Sequence, residues 1–321
     1  MPLGIDPTVD YAFKKLFGDP ENSDLLIHLL NAVLKPDSPI VDVQMLNPFN
    51  EKEFAEAKLT VLDIKARDAS GAWYNVEMQS SAVGVLRRRL PYYNSLLFAN
   101  QLSEGDGYEL LAAAITVCFL NGVLFPDVEA PHLAFTLCDL PRKLQLTDCL
   151  QIHTIELPKY NFEEGSLATA DPLEQWAFFL SHAAEFEAAE LKRMLPDRAY
   201  VKATGVMEMI GSTPQQREFY EARRKAELDY KSFAAAAAQE ARREGEARGE
   251  ALGEARGKAL GEARGKALGE IQGHKLGLVK HIHFLQEILQ QPITPESDLM
   301  ALELKGLNEL CIELQRRVTG R

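Results

Sequence analysis

The sequence predicts an α/β protein: a mixed sheet carrying helices, followed by a helical C-terminal extension. Three observations predict it. Segments 41–47, 58–68 and 72–80 alternate or are rich in β-formers, and helical patterns flank them at 6–34 and about 84–103. Strand-like runs resume at LLAAAITVCFL (110–120), HLAFTLCDL (132–140) and LQIHTIEL (150–157), before a helical region over 172–232. Near residue 233 the composition shifts to a low-complexity tract of helix formers. The order α-βββ-α-β describes a mixed sheet with helices packed on it.

In 6–34, Val9, Phe13, Leu16, Phe17, Leu25, Leu26, Leu29, Leu30 and Val33 recur at helical spacing, broken at GDPENS (18–23), which predicts two helices and a turn. With 46% hydrophobic and 26% charged residues, the 321-residue chain can bury a sizeable core. No run of 18 apolar residues occurs, and MPLGIDPTVDYAFKKLFG lacks a basic segment followed by an apolar one. Neither a membrane span nor a secretory signal is expected, and a cytoplasmic location follows. Cys118, Cys138, Cys149 and Cys311 form no CxxC pair and sit among apolar neighbours, which predicts buried thiols. Tyr92 and Tyr93 are expected in the core. His281 and His283 are two apart, about 200° around a helix, and so predict no metal pair. A net charge of -12 argues against non-specific coating of nucleic acid, but not against an enzyme whose metal ions supply local positive charge.

The tract from 233 repeats the unit GEARGKAL, with glycine at every fourth position from Gly245 to Gly273. Each interior glycine costs about 1 kcal/mol relative to alanine, so the isolated helix is marginal. A four-residue step advances 400°, so the glycine row drifts about 40° per step. A solvated spacer and a right-handed seam between two chains both fit. Residues 213–280 hold 14 Lys and Arg against 11 Asp and Glu, or +3, leaving -15 for the remainder. Beyond Pro292, Leu307, Leu310, Cys311, Leu314 and Val318 form one apolar helix face. So small a helix implies docking or homo-oligomerisation through the C-terminal region. The expected divisions are a globular domain at 1–212, a helical, Gly-rich repeat linker at 213–275 and a small helical segment at 276–321.

The stretch LDIKARDASGAWYNVEMQ (62–79) reads as a β-hairpin turning at Ala69, Ser70 and Gly71. That turn pairs Asp68 with Ala72 and places Asp63 directly opposite Glu77. Asp63, Lys65 and Arg67 then share a face with Trp73, Asn75, Glu77 and Gln79, while Leu62, Ile64, Ala66, Tyr74, Val76 and Met78 face the core. Opposed carboxylates lie roughly 5 Å apart at Cβ and repel by up to about 3 kcal/mol. Two arrangements answer that repulsion: a charged, solvated outer face compensated by Lys65 and Arg67, or a divalent cation between two hard carboxylate ligands.

DYAFKKLFG (10–18), the hairpin, and RRRLPYYNSLLFANQL (87–102) follow one another as in the PD-(D/E)XK nuclease superfamily. More narrowly, the chain resembles the recombination-promoting nuclease and putative transposase family, over roughly residues 6–210. The resemblance implies a restriction-endonuclease-like αβββαβ core and metal-dependent endonuclease action on DNA, linked to recombination or mobile DNA. It makes Asp63 and Glu77 the acidic pair holding Mg²⁺ or another divalent cation, and Gln79 the third catalytic element. Leu62 replaces the proline of the superfamily's name. Gln79 replaces its usual lysine, and a neutral amide can orient water but not supply charge. Asp10 is either a further metal carboxylate or a helix cap. One or two of Arg87, Arg88 and Arg89 are expected at DNA phosphates, since three adjacent residues cannot share a helix face. The alternative function is a catalytically weak or inactive nuclease-fold protein that binds DNA or a protein partner.

Overall fold

The computed structural model describes residues 1–47, 49, 63–79, 84–162 and 167–320. The strand expected from 58 therefore lies outside the described residues as far as Leu62, as does the last residue of the one expected at 72–80. Contact density divides the chain into two compact units, Met1–Ser232 and Phe233–Arg321.

Helices α1 (Asp10–Phe17) and α2 (Ser23–Leu34) open the first unit, separated at Gly18–Asn22 by a turn in which the Asp19 carboxylate accepts from the Glu21 N–H at 3.0 Å. Strands β1 (Val43–Met45), β2 (Asp63–Asp68) and β3 (Trp73–Gln79) follow, then α3 (Leu86–Ala99), β4 (Ala114–Leu120), β5 (His132–Asp139) and β6 (Leu144–Glu156). Helices α4 (Pro172–His182), α5 (Ala188–Met194) and α6 (Arg198–Ser212) complete the fold, and α7 (Pro214–Ile288) begins within this unit. Among the described residues the strands form a six-stranded sheet in the order β1-β2-β3-β4-β6-β5. The pairs β3/β4 and β4/β6 are parallel and the others antiparallel, so the expected mixed sheet is present. The parallel β3/β4 pair needs a crossover, which α3 supplies.

Alternation assigns the two faces. Ile64, Ala66, Tyr74, Val76, Met78, Ile115, Val117 and Phe119 point into one core with α1, α2, α4 and α6. Trp176 is fully buried there, edge-on to Phe17 and Tyr200, and its indole N–H donates to His28 Nδ1 at 2.9 Å. Burying each such large apolar side chain stabilises the fold by about 1.5–3 kcal/mol. On the opposite face Cys118 and Leu120 of β4 pack beneath Leu86 and Leu90 of α3. The hairpin face, for which a solvated surface was one of the two arrangements, is thus roofed by a helix. Asn94 of α3 fixes the roof: its amide nitrogen reaches Ala114 O and Thr116 Oγ1 at 3.0 Å and Gln151 O at 3.2 Å.

Two expectations are corrected. Cys118 and Cys311 are buried, but Cys138 is exposed and Cys149 half-buried. The reason is that β4 reaches only Leu150–Glu156 of β6, so the far end of the β5–β6 hairpin projects past the sheet. Tyr92, expected in the core, is 61% exposed on the outer side of α3.

In the second unit, α8 (Glu296–Ala301) and α9 (Leu304–Thr319) fold back on the end of α7, burying Leu299, Leu307, Cys311 and Leu314 against Val279, Ile282 and Leu285. The amphipathic helix therefore docks within its own chain. The Gln286 side chain closes the intervening turn, donating to Thr294 Oγ1 at 2.8 Å and accepting from the Thr294 N–H at 3.1 Å. Across the glycine repeats α7 is exposed, and a Cβ built on any glycine from Gly245 to Gly277 meets nothing within 4 Å. No described helix is long and apolar enough to cross a membrane.

Candidate active site

The hairpin turns as its sequence dictates. Gly71 takes φ +93°, a left-handed conformation that glycine adopts without strain, and its N–H donates to Asp68 O at 3.1 Å. Asp68 organises the turn, accepting from Ser70 Oγ at 2.6 Å, the Tyr74 hydroxyl at 2.7 Å and the Ala72 N–H at 3.0 Å. Burial opposes ionisation of Asp68, but these donors outweigh it and hold the carboxyl below its ordinary range. Burial, reinforced by the Asp68 carboxylate, pushes the Tyr74 phenol up. The resulting register sets Asp63 opposite Glu77 and Lys65 opposite Asn75, as the turn arithmetic requires.

Glu77 is fully buried. Asn75 Nδ2 donates to its Oε1 at 2.7 Å, Gln79 Nε2 donates to its Oε2 at 3.1 Å, and Arg89 Nη2 of α3 lies 4.0 Å from Oε2. Taking a carboxylate out of water costs several kcal/mol unless donors and a counter-charge replace the solvent, and here both are present. The neighbouring strand feels the result: burial pushes the Cys118 thiol well up, the Glu77 charge adds to this, and Arg89 opposes it. Gln79 thus spends its amide on the acid beside it.

The remaining expected residues separate. Asp10 is the first residue of α1, with Val9 at the cap position and no side-chain cap bond, so Asp10 is not the helix cap. It is buried, its carboxylate lies 3.4 Å from Lys14 Nζ, and its backbone N–H donates to Glu227 Oε1 at 2.9 Å. Burial raises the Glu227 carboxyl, and the nearby Asp10 adds to the rise while its N–H offsets part of it. Glu227 escaped the sequence reading because 217 positions separate it from Asp10. The start of α1 is tied to the end of β3 by a short relay: Asn121 donates its N–H to Gln79 O and its side-chain amide to Thr8 Oγ1, both at 3.0 Å.

The arginines divide as helix geometry requires. Arg87 donates to Leu124 O at 2.5 Å and lies over the Phe125 ring, 4.5 Å from its centroid, fastening the loop after β4. Arg88 is exposed, and Arg89 turns inward to Glu77. Between the hairpin and α3 lies a cavity of about 340 Å³. Glu77, Asn75, Trp73 and Lys65 line it from the sheet, and Tyr93 and Asn100 from the helix. The carboxylates of Asp63 and Glu77 are hard oxygen donors, and a guanidinium already drawn to Glu77 marks a place where positive charge is stabilised. Among the described residues no group of three or more His, Cys, Asp or Glu side chains is gathered to hold a metal ion, so Asp63 and Glu77 stand as a candidate pair on the strength of the strand register and of their hard oxygen chemistry.

A mixed sheet behind an N-terminal helix, with a buried acid opposite Asp63 on a helix-covered hairpin, defines a nuclease-fold protein. The chain belongs to the family described as PD-(D/E)XK nuclease family transposase, whose profile matches residues 7–237. That match takes in every described strand and ends within α7. The match supports a nuclease-fold protein linked to mobile DNA, the family implies DNA binding, and PD-(D/E)XK nucleases generally use divalent metal ions. Comparison with curated proteins and with solved structures returned no match.

Proposed function

We propose that this chain is a metal-dependent DNA endonuclease that hydrolyses phosphodiester bonds in recombination or mobile-DNA processing. The observation that carries this reading is the fully buried Glu77 carboxylate, held by two amides and a guanidinium, at the register position opposite Asp63. Asp63 and Glu77 would hold Mg²⁺ or another divalent cation, with Asp10 as a third carboxylate. When bound, the cation polarises the scissile phosphate and lowers the pKa of a bound water.

The chain's own groups do the rest. Asn75 and Gln79 fix the orientation of Glu77. The Gln79 carbonyl oxygen, left over from its contact with the acid, accepts a hydrogen bond from the attacking water. Arg89 provides the positive charge that Gln79 cannot, facing a phosphate brought to Glu77, and Arg88 meets a backbone phosphate from the exposed side of α3. The same reading takes 1–212 as the nuclease-like domain, 213–275 as a helical, Gly-rich linker and 276–321 as a small helical segment. It places the protein in the cytoplasm, assembled as a homo-oligomer through its C-terminal helical region.

Incubation with supercoiled plasmid and Mg²⁺ should produce nicked or linear DNA, and the product should disappear with EDTA or with Asp63→Ala. Equal cleavage by that variant would sink the assignment. The Gln79 amide engaged on Glu77, in place of a lysine, supports a second reading: a nuclease-fold module that binds DNA or a protein without cutting. DNA binding with no product across Mg²⁺, Mn²⁺ and Ca²⁺ would select it.

A further inference from the structure

Resting on the nuclease reading, we propose that the cavity between the β2–β3 hairpin and α3 is a subsite for a single unpaired nucleotide, so that the substrate is a DNA strand with a base free of its stack. The cavity opens from the proposed chemistry. Arg89 marks the Glu77 end, and Tyr93 lies one helical turn further along α3, about 6 Å away at 1.5 Å per residue. That is about one nucleotide step from a phosphate at Glu77. Trp73 lies four residues before Glu77 on β3, on the same face, and lines the cavity together with Tyr93. Both rings are half-buried, and the Arg89 guanidinium lies over the Tyr93 ring, 5.9 Å from its centroid, so a base would stack there beside the cation. Leu96 and Leu97 add apolar wall, and Lys65 lines the cavity from the sheet.

A second observation is independent of the rings. Asn75 is 4% exposed and lines the cavity, and its Oδ1 has no hydrogen-bond partner among the described residues. Glu77 accepts from Nδ2 and thereby fixes the amide's orientation, so Oδ1 is left as a buried acceptor facing elsewhere. Orphaned buried acceptors are rare and costly. Each nucleobase carries an N–H donor that could satisfy this one once the Asn75 side chain turns Oδ1 to the cavity: N3–H of thymine, N1–H of guanine, or the exocyclic amines of cytosine and adenine. Recognition would then depend on an unpaired edge rather than on sequence. A volume of about 340 Å³ admits one base and its sugar, whereas a paired, stacked base cannot leave the duplex without losing its pairing and stacking. The chain's net charge of -12 also disfavours broad tracking of duplex phosphates.

The chain supplies its own probe, because it holds two tryptophans and the other, Trp176, is fully buried. With the full chain in Ca²⁺, a twelve-residue oligothymidylate should quench tryptophan emission and bind about tenfold more tightly than a twelve-base-pair hairpin duplex. By anisotropy, Trp73→Leu and Tyr93→Ala should each weaken the single strand about tenfold and leave the duplex within twofold. Trp73→Phe should lose the emission change but keep the affinity. Equal affinity for strand and duplex, or unaltered strand binding in both ring variants, overturns the subsite. Plasmid cleavage separates the two ideas: strand preference without cleavage refutes the catalytic reading alone, and cleavage without strand preference refutes the subsite alone.

Discussion

Arg89 extends from α3 to within 4.0 Å of the Glu77 carboxylate on β3, and the Glu77 side chain is only 1% exposed. Removing the cation takes this counter-charge from the buried acid. Arg89→Ala should lower plasmid cleavage at least tenfold and destabilise the protein by about 1–2 kcal/mol, a value discounted because the arginine is one-third exposed. The double variant Glu77→Gln, Arg89→Ala should recover most of that stability in urea unfolding. Strict additivity of the two losses would show that the residues do not interact.

The hydrogen bonds at Asp68 predict an acid dependence. A folded-state pKa held below the ordinary value of 3.8 contributes stability above that value, and the contribution is lost as pH falls through the folded pKa. Asp68→Asn should therefore lower the melting temperature at pH 7 and converge with the parent as pH falls below 3.8 and through the folded pKa. Tyr74→Phe should cost about 1 kcal/mol at neutral pH. A gap that stays constant from pH 7 to pH 2 would contradict this account.

His153 predicts a dependence in a different window. Its Nδ1 lies 3.0 Å from His132 Nε2, and burial, then the charge of His132, lowers its pKa from 6.5 to about 4. Burial likewise lowers His132, helped by Lys35 and opposed by Asp171. With the folded pKa depressed, the unfolded chain takes up the proton first as pH falls. Stability is full above 6.5 and declines towards pH 4, by up to about 3 kcal/mol at 1.36 kcal/mol per unit. His153→Gln should flatten the melting profile between those limits.

Thiol chemistry should follow exposure. Cys138 is exposed, whereas Cys118 is fully buried with its thiol pushed well up. An alkylating reagent at pH 8 should label Cys138 rapidly in the native protein and Cys118 only after denaturation. Mass spectrometry of tryptic peptides gives the order directly.

In the repeat tract, a Cβ added at Gly257 or Gly265 meets nothing within 4 Å, so Gly→Ala there relieves helix entropy without a clash. Each substitution should favour the helix by about 1 kcal/mol, read as added ellipticity. If the glycine row seats a second copy, the same variants should also change the mass per particle in light scattering. Deleting 233–321 should lower the number of chains per particle if the tail carries assembly.

Much of the fold was legible because its signals are local. Period-2 alternation gave β2 and β3, the Ser70–Gly71 turn fixed their register, and the register alone placed Asp63 opposite Glu77. The covering of that face was not legible, since α3 carries polar Arg89, Tyr93 and Asn94 where a buried helix normally shows an apolar stripe. Arg89 and Asn94 point inward because their partners lie on strands, Glu77 on β3 for the first and Ala114, Thr116 and Gln151 on β4 and β6 for the second. Glu227 was hidden in the same way, by distance along the chain. Cys138 was misread because alternation reports which face a residue takes, but not whether the sheet extends far enough to cover it.

Asn94, bonded at once to two backbone carbonyls and a threonine hydroxyl, acts as an index pin for α3. Sliding the helix by one turn would strand those groups without partners, so the distance between the acid and the aromatic ring of Tyr93 is set by a residue belonging to neither. On the proposed reading, chemistry and selectivity are thereby divided between strand and helix. The outward side of α3, with Tyr92 and Arg88, can then change without disturbing the bonds that Asn94 makes to the sheet.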